Sequence, residues 1–89
     1  MSWALYEAVQ ADGSRIATRG WDTYRTLRFP EAPDVDIVVI DRPDEDPLGA
    51  GEAFAGPTSA AIANAVYNAM GVRIRDMPIT RERVIAAIG

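Results

Sequence analysis

The chain has 89 residues, 48% of them hydrophobic and 25% charged, and a net charge of −4. That length makes one domain at most, and such a domain buries only about 60–65% of the surface its unfolded form exposes. Arginine supplies all nine cations, and lysine, histidine and cysteine are absent. Disulfides, thiolate nucleophiles and cysteine-held iron–sulfur clusters are therefore excluded, as are the usual zinc site and the Ser-His-Asp triad. Acid–base chemistry falls to Asp, Glu, Tyr or Arg. An acidic chain with no basic stripe argues against nucleic acid and anionic membranes as partners. Residues 1–6 lack the basic and apolar regions of a signal peptide, and no apolar run approaches the ~20 residues that span a bilayer. The expectation is a soluble, cytoplasmic protein.

Residues 1–8 favour helix but carry no N-cap, like the end of a helix whose start is missing. Asp12-Gly13, between two short runs, predicts a β-hairpin centred on 12–13. Residues 19–34 read as irregular, because Pro30 and Pro33 prevent a long helix. Their large side chains, Trp21, Tyr24, Leu27 and Phe29, suit a segment laid over a core.

Residues 34–41, DVDIVVID, are the most strand-like run. Four consecutive β-branched residues, Ile37 to Ile40, suit a strand that is central in a sheet or buried on both faces. The acidic, proline-flanked residues 42–47 lack the frame of a calcium-binding loop and read as a solvated loop. Residues 58–70 predict a helix, with Thr58 or Ser59 as cap. Its apolar stripe holds Ile62, Val66, Ala69 and Met70, and Gly71 stands at the C-terminal stop. Val72-Arg73-Ile74-Arg75 alternates as a short extended piece. Thr80 caps a last helix over 81–88, with Ile79 and Val84 as its hydrophobic staple. The fold expectation is α+β: a small mixed sheet, made of the hairpin plus one central strand, packed by two C-terminal helices. Residues 1–89 form a single domain.

Between the strand-like run and the long helix lies Gly49-Ala50-Gly51-Glu52-Ala53-Phe54-Ala55-Gly56-Pro57. Glu52 is the only charged side chain between Asp46 and Arg73. Glycine-rich turns at this place can cradle phosphate. The dinucleotide pattern G-x-G-x-x-G fails here because Phe54 holds its third glycine position, and the phosphate-binding lysine is missing. Two readings of Glu52 remain. A carboxylate among small apolar residues is poorly solvated and has a raised pKa, which suits a general base. A carboxylate in a turn is also ordinarily exposed, or bonds the amides at 58–60.

Several runs taken together resemble the extreme C-terminus of the molybdenum hydroxylase large subunit. They are Asp41-Arg42-Pro43-Asp44-Glu45, Gly49-Ala50-Gly51-Glu52, Ala60-Ala61-Ile62-Ala63-Asn64-Ala65-Val66-Tyr67, Gly71-Val72-Arg73-Ile74-Arg75 and Pro78-Ile79-Thr80. That family includes xanthine dehydrogenase, aldehyde oxidoreductase and the isoquinoline 1-oxidoreductase β-subunit. The likeness covers about residues 4–88. It implies a molybdopterin-dependent oxidoreductase that hydroxylates an aldehyde or N-heteroarene carbon with water as the oxygen source. It further implies that Glu52 is the general base, and that Ala50, Gly51 and Ala53 line the cofactor pocket with no metal ligand among them.

The resemblance implies as partners the rest of a molybdopterin subunit and an iron–sulfur subunit, with periplasmic placement open to the full enzyme. Family subunits run to many hundreds of residues, so the 89 residues alone are expected to bind no molybdenum cofactor, to be inactive, and to self-associate through uncovered surface. The alternative is a non-catalytic assembly module that keeps the family fold and binds a partner around Trp3, Tyr6 and Trp21.

Overall fold

The computed structural model describes residues 1–89. Its elements in order are α1 (Ser2–Leu5), β1 (Ala11–Asp12), β2 (Arg15–Ile16), a 3-10 turn (Phe29–Glu31), α2 (Ala55–Met70) and α3 (Arg81–Ile88). The class is α+β, as the sequence predicts. The sheet is a two-stranded antiparallel ribbon with Ala11 opposite Ile16 and Asp12 opposite Arg15. This register puts Gly13 and Ser14 in the turn, one residue later than the Asp-Gly signal suggests. Gly13 takes φ +57°, which a side-chain-bearing residue adopts only at a cost.

The central strand expected at 35–40 does not form. These residues pair with nothing, and Val35, Ile37, Val38, Val39 and Ile40 are 71–84% exposed. β-Branched side chains make a run suitable for a strand, but only a neighbouring backbone can complete its hydrogen bonds. The ribbon's strands are only two residues long and pair only with each other, so the sheet does not extend to this run.

The long helix starts three residues before the predicted position. Phe54 is its N-cap residue, and no side chain caps it, so neither Thr58 nor Ser59 plays that role. Pro57 falls within the first turn, where an amide has no helical partner in any case. At the other end Gly71 takes φ +73° and its N–H donates to the Tyr67 carbonyl at 2.8 Å. Arg73 turns back over α2, donating to Asn64 Oδ1 at 2.6 Å and stacking 4.0 Å over the Tyr67 ring. Helix α3 matches its prediction: the Thr80 hydroxyl accepts from the Arg83 amide at 3.4 Å.

The core is minute. Ala4, Ile74 and Ile79 are its buried apolar residues, with Pro78 buried beside them. Val72 and Ile74 alternate with exposed Arg73 and Arg75, as the extended reading of this piece requires. The Ile79 amide donates to the Ala4 carbonyl at 2.6 Å, closing the segment before α3 onto α1. The Ser2 hydroxyl accepts from the Leu27 amide at 2.8 Å, and Tyr24 donates to Glu7 at 2.7 Å. These bonds fasten part of the 19–34 segment, whose Tyr24 and Leu27 are half-buried. Trp21 and Phe29 are 85% and 93% exposed and cover nothing, contrary to the expectation from their spacing.

The molecule is expanded for its length. Its radius of gyration is 16.8 Å, against about 12 Å for a compact 89-residue domain. Its accessible surface is 7844 Å², against about 5,100 Å² for a folded monomer of this mass.

Packing this sparse makes the effect of single substitutions easy to separate. Ile79→Ala removes one of three buried apolar side chains and costs about 2–5 kcal/mol, enough to unfold so small a core. Phe29→Ala stays within about 0.5 kcal/mol. Far-UV circular dichroism with urea titration reads both. The same titration reads a pH dependence. Hydrogen bonds from Ser2 and then Tyr24 hold the Glu7 carboxyl below its ordinary 4.5, and the bond to Glu7 holds the Tyr24 hydroxyl above its ordinary 10.0. Glu7 therefore stabilises the fold fully above pH 4.5, and this contribution is lost as pH falls through its lowered value. Tyr24 contributes below pH 10.0 and loses its contribution as pH rises through its raised value. The urea midpoint of Glu7→Gln should change less with pH below 4.5 than that of the parent chain.

Candidate functional site

The glycine-rich stretch forms a turn over residues 51–54 that leads into α2. The Glu52 carbonyl accepts the Ala55 amide at 3.1 Å, so the turn is fixed by the backbone and the carboxylate is free of that duty. Glu52 lines an open cleft of about 530 Å³ between the N-terminal ends of α1 and α2. The other walls are Trp3 and Phe54, the Thr58 and Ser59 side chains, and Met1, Ser2, Gly51 and Ala55. Helix α1 packs on α2, which is what brings Trp3 to a residue nearly fifty positions away.

Of the residues that the sequence assigns to this site, Glu52 and Gly51 line the cleft. Ala50 and Ala53 lie beside them in the chain and are not part of its wall. The poor solvation expected of Glu52 is not provided by these 89 residues, because the side chain is exposed. Small neighbours leave a carboxylate dry only when something else lies over them, and here nothing does. The cleft also holds Trp3, Phe54, Thr58 and Ser59, which sequence reasoning does not place beside Glu52; it assigns Trp3 to a partner patch instead. Phe54 serves there only to exclude a nucleotide motif, and the two hydroxyls read as caps. The signal that could find Phe54 is its place two residues from the lone carboxylate.

The glycines pose a question that this chain does not answer. Neither Gly49 nor Gly51 has a positive φ, and a Cβ built on either meets no atom within 4 Å. Neither backbone conformation nor crowding within the chain calls for glycine at these two positions. No group of three or more Asp or Glu side chains is placed to hold a metal ion. The chain therefore offers a carboxylate and an unobstructed approach to it, rather than a set of metal ligands.

Of the residues around which a partner patch is expected, Trp3 and Trp21 are exposed and Tyr6 is half-buried. Trp3 is 66% exposed in the cleft. Arg25 stacks 4.1 Å over the Tyr6 ring, and Trp21 meets Tyr24 edge-on at 6.2 Å. No helix is long and apolar enough to cross a membrane.

No family model and no solved structure matches the chain. Curated proteins do. Over 99% of its length the chain is 46% identical to a nicotinate dehydrogenase subunit of Pseudomonas putida, spanning 7% of that protein. Over the same share it is 33% identical to a membrane-bound aldehyde dehydrogenase (pyrroloquinoline-quinone) of Gluconacetobacter polyoxogenes, spanning 11% of it. Over 70% of its length it is 42% identical to the aldehyde oxidoreductase molybdenum-binding subunit PaoC of Escherichia coli, spanning 9% of that protein. The relatives' names point to different groups, molybdenum in one and pyrroloquinoline-quinone in another. The motif set from Gly49 to Thr80 resembles molybdenum enzymes, and the chain spans about a tenth of each relative. It thus fits a segment of the molybdenum hydroxylase family, homologous over nearly its whole length to nicotinate and aldehyde dehydrogenases.

Proposed function

We propose that this chain is the C-terminal part of the molybdopterin-binding subunit of an aldehyde or N-heteroarene oxidoreductase, and that it supplies Glu52 as the general base. The observation that carries the reading is the pairing of Glu52, exposed on an open cleft, with Gly49 and Gly51, which nothing in the chain requires. Glycine at such positions suits the close approach of a group from outside.

The residues fit the molybdopterin on one side only, as base and approach. When bound, that group supplies the two-electron redox chemistry of the hydroxylation. Glu52, ionised, takes a proton at a carboxylate oxygen from the water-derived oxygen that attacks the substrate carbon. Backbone hydrogen bonding of the turn at 51–55 keeps the carboxylate in place through that transfer. Burial of the carboxylate would then come from the cofactor and the rest of the subunit, which together exclude water from the site. Thr58 and Ser59, half-buried on the same wall, offer hydroxyls for orienting a polar substrate edge. By itself the chain supplies one wall and is inactive. An iron–sulfur subunit is the proposed electron acceptor.

In the reconstituted complete enzyme, Glu52→Gln should lower kcat by about 10²–10⁴-fold, the range for loss of a general base. Near-normal turnover of that variant would remove the proposal and favour a purely structural module. Gly51→Ala separates the two roles of the turn. In the free chain its stability should stay within about 0.5 kcal/mol of the parent, because the new methyl meets open space. In the complete enzyme the same methyl should lower cofactor content, read as molybdenum per protein.

A further inference from the structure

The apolar wall beside Glu52 is mainly aromatic. Apart from Met1, its large apolar side chains are Trp3 and Phe54, and both are exposed. Exposure alone is ordinary for an apolar side chain. These two differ from most in that the backbone beneath them is anchored. On one side of Trp3 the Ser2 hydroxyl accepts the Leu27 amide at 2.8 Å. On its other side the carbonyl of buried Ala4 accepts the Ile79 amide at 2.6 Å. The Phe54 carbonyl accepts the Thr58 amide at 2.9 Å, which holds Phe54 at the head of α2. Trp21 and Phe29 are more exposed still, and neither lines this cleft.

We propose that Trp3 and Phe54 are the ring-contacting residues of the site, and that its substrate is a planar aromatic compound rather than an aliphatic one. The inference rests on the placement of the reaction beside Glu52 proposed above, and names the substrate class for it. An aromatic side chain on an anchored backbone has only two torsions left to order, so a ligand that meets it loses little conformational entropy. Aromatic faces carry negative potential and aromatic edges positive. A flat ring therefore meets such walls offset or edge-on, with a gain that a puckered aliphatic ring lacks.

Charge narrows the class. Glu52 is the only ionisable side chain in the cleft wall, and no guanidinium stands beside it there. An acidic substituent turned to this wall would face a like charge with no cation to pair. The ring thus presents an uncharged edge to this side, where Thr58 and Ser59 supply hydroxyls for a ring nitrogen or a carbonyl oxygen. The volume of about 530 Å³ suits a small molecule of this kind.

The test uses the enzyme made by replacing the matching 88 residues of the Pseudomonas putida nicotinate dehydrogenase subunit with this chain. Benzamide and cyclohexanecarboxamide, neutral amides of similar size, are compared as inhibitors of its turnover. Benzamide should inhibit at a concentration at least about 5-fold lower, as stacking on two rings provides. Trp3→Leu and Phe54→Leu keep apolar bulk and remove the flat faces, and each should narrow that preference by about 3-fold. Equal inhibition by the two amides would overturn the inference, as would a preference that survives in either variant. Loss of molybdenum from the variants would also overturn it, because the rings would then belong to the bed of the cofactor.

If the chimera does not turn over, nuclear magnetic resonance of the free chain decides. Benzamide should shift the Trp3 indole N–H and the Phe54 amide, and cyclohexanecarboxamide should not. Equal shifts at Trp21 would mean unspecific stacking and contradict the proposal, as would no shift at Trp3. Glu52→Gln in the chimera keeps the two proposals apart, since it should lower kcat and leave the preference for benzamide in place. That preference with full turnover removes the base and leaves the ring walls, whereas lost turnover without it in the parent enzyme does the reverse.

Discussion

The hydrogen bond from the Ile79 amide to the Ala4 carbonyl, with the apolar side chains around it, is the constraint on which the rest of the chain hangs. It joins the two ends of the sequence. Ala4 sits on α1, and Ile79 immediately precedes the cap of α3. A buried amide bond contributes a net ~0.5–1.5 kcal/mol, and each buried isoleucine side chain about 1.5–3 kcal/mol. These are small sums against the conformational entropy of 89 residues, yet the other contacts are weaker still. Arg25 over Tyr6, Tyr24 to Glu7 and Ser2 to Leu27 all gather on α1 or just after it. Helix α1, four residues long and without a side-chain cap, is stable only because these segments close around it.

That arrangement also decides what the site can be. With α1 held in place, Trp3 faces the start of α2, and the cleft beside Glu52 exists. Nothing then covers it. The same chain that fixes one wall of this cleft leaves the opposite side open, and it leaves a two-faced apolar run at 34–41 without neighbours. On the reading proposed here the two facts have one cause, because both surfaces belong against the same larger subunit. A general base requires a dry, shaped surrounding, and on the proposed reading the rest of the subunit supplies that surrounding for Glu52.

The features legible in the sequence are those set by local chemistry. Thr80 caps α3 because a hydroxyl before a helix start satisfies an orphan amide. Gly71 ends α2 because the left-handed conformation there suits glycine. Glu52 stands out as the lone charge in a glycine-rich turn, and it lines the cleft. What cannot be read depends on partners distant in sequence. A β-branched run records what a strand prefers and says nothing of which backbone will pair with it, so 35–40 has the pattern of a central strand and is unpaired. Trp3 cannot be placed beside Glu52 from the sequence, because only the packing of α1 on α2 brings it there. Trp21 and Phe29 follow the composition of a core-covering segment, but no core of that size exists to be covered.

Small-angle X-ray scattering on the free 89-residue chain tests most directly the claim that the chain is not a self-sufficient globule. A radius of gyration near 17 Å, with an elongated profile at every concentration, is the predicted result. A value of about 12 Å would show that the chain closes its own surfaces, and would contradict the account.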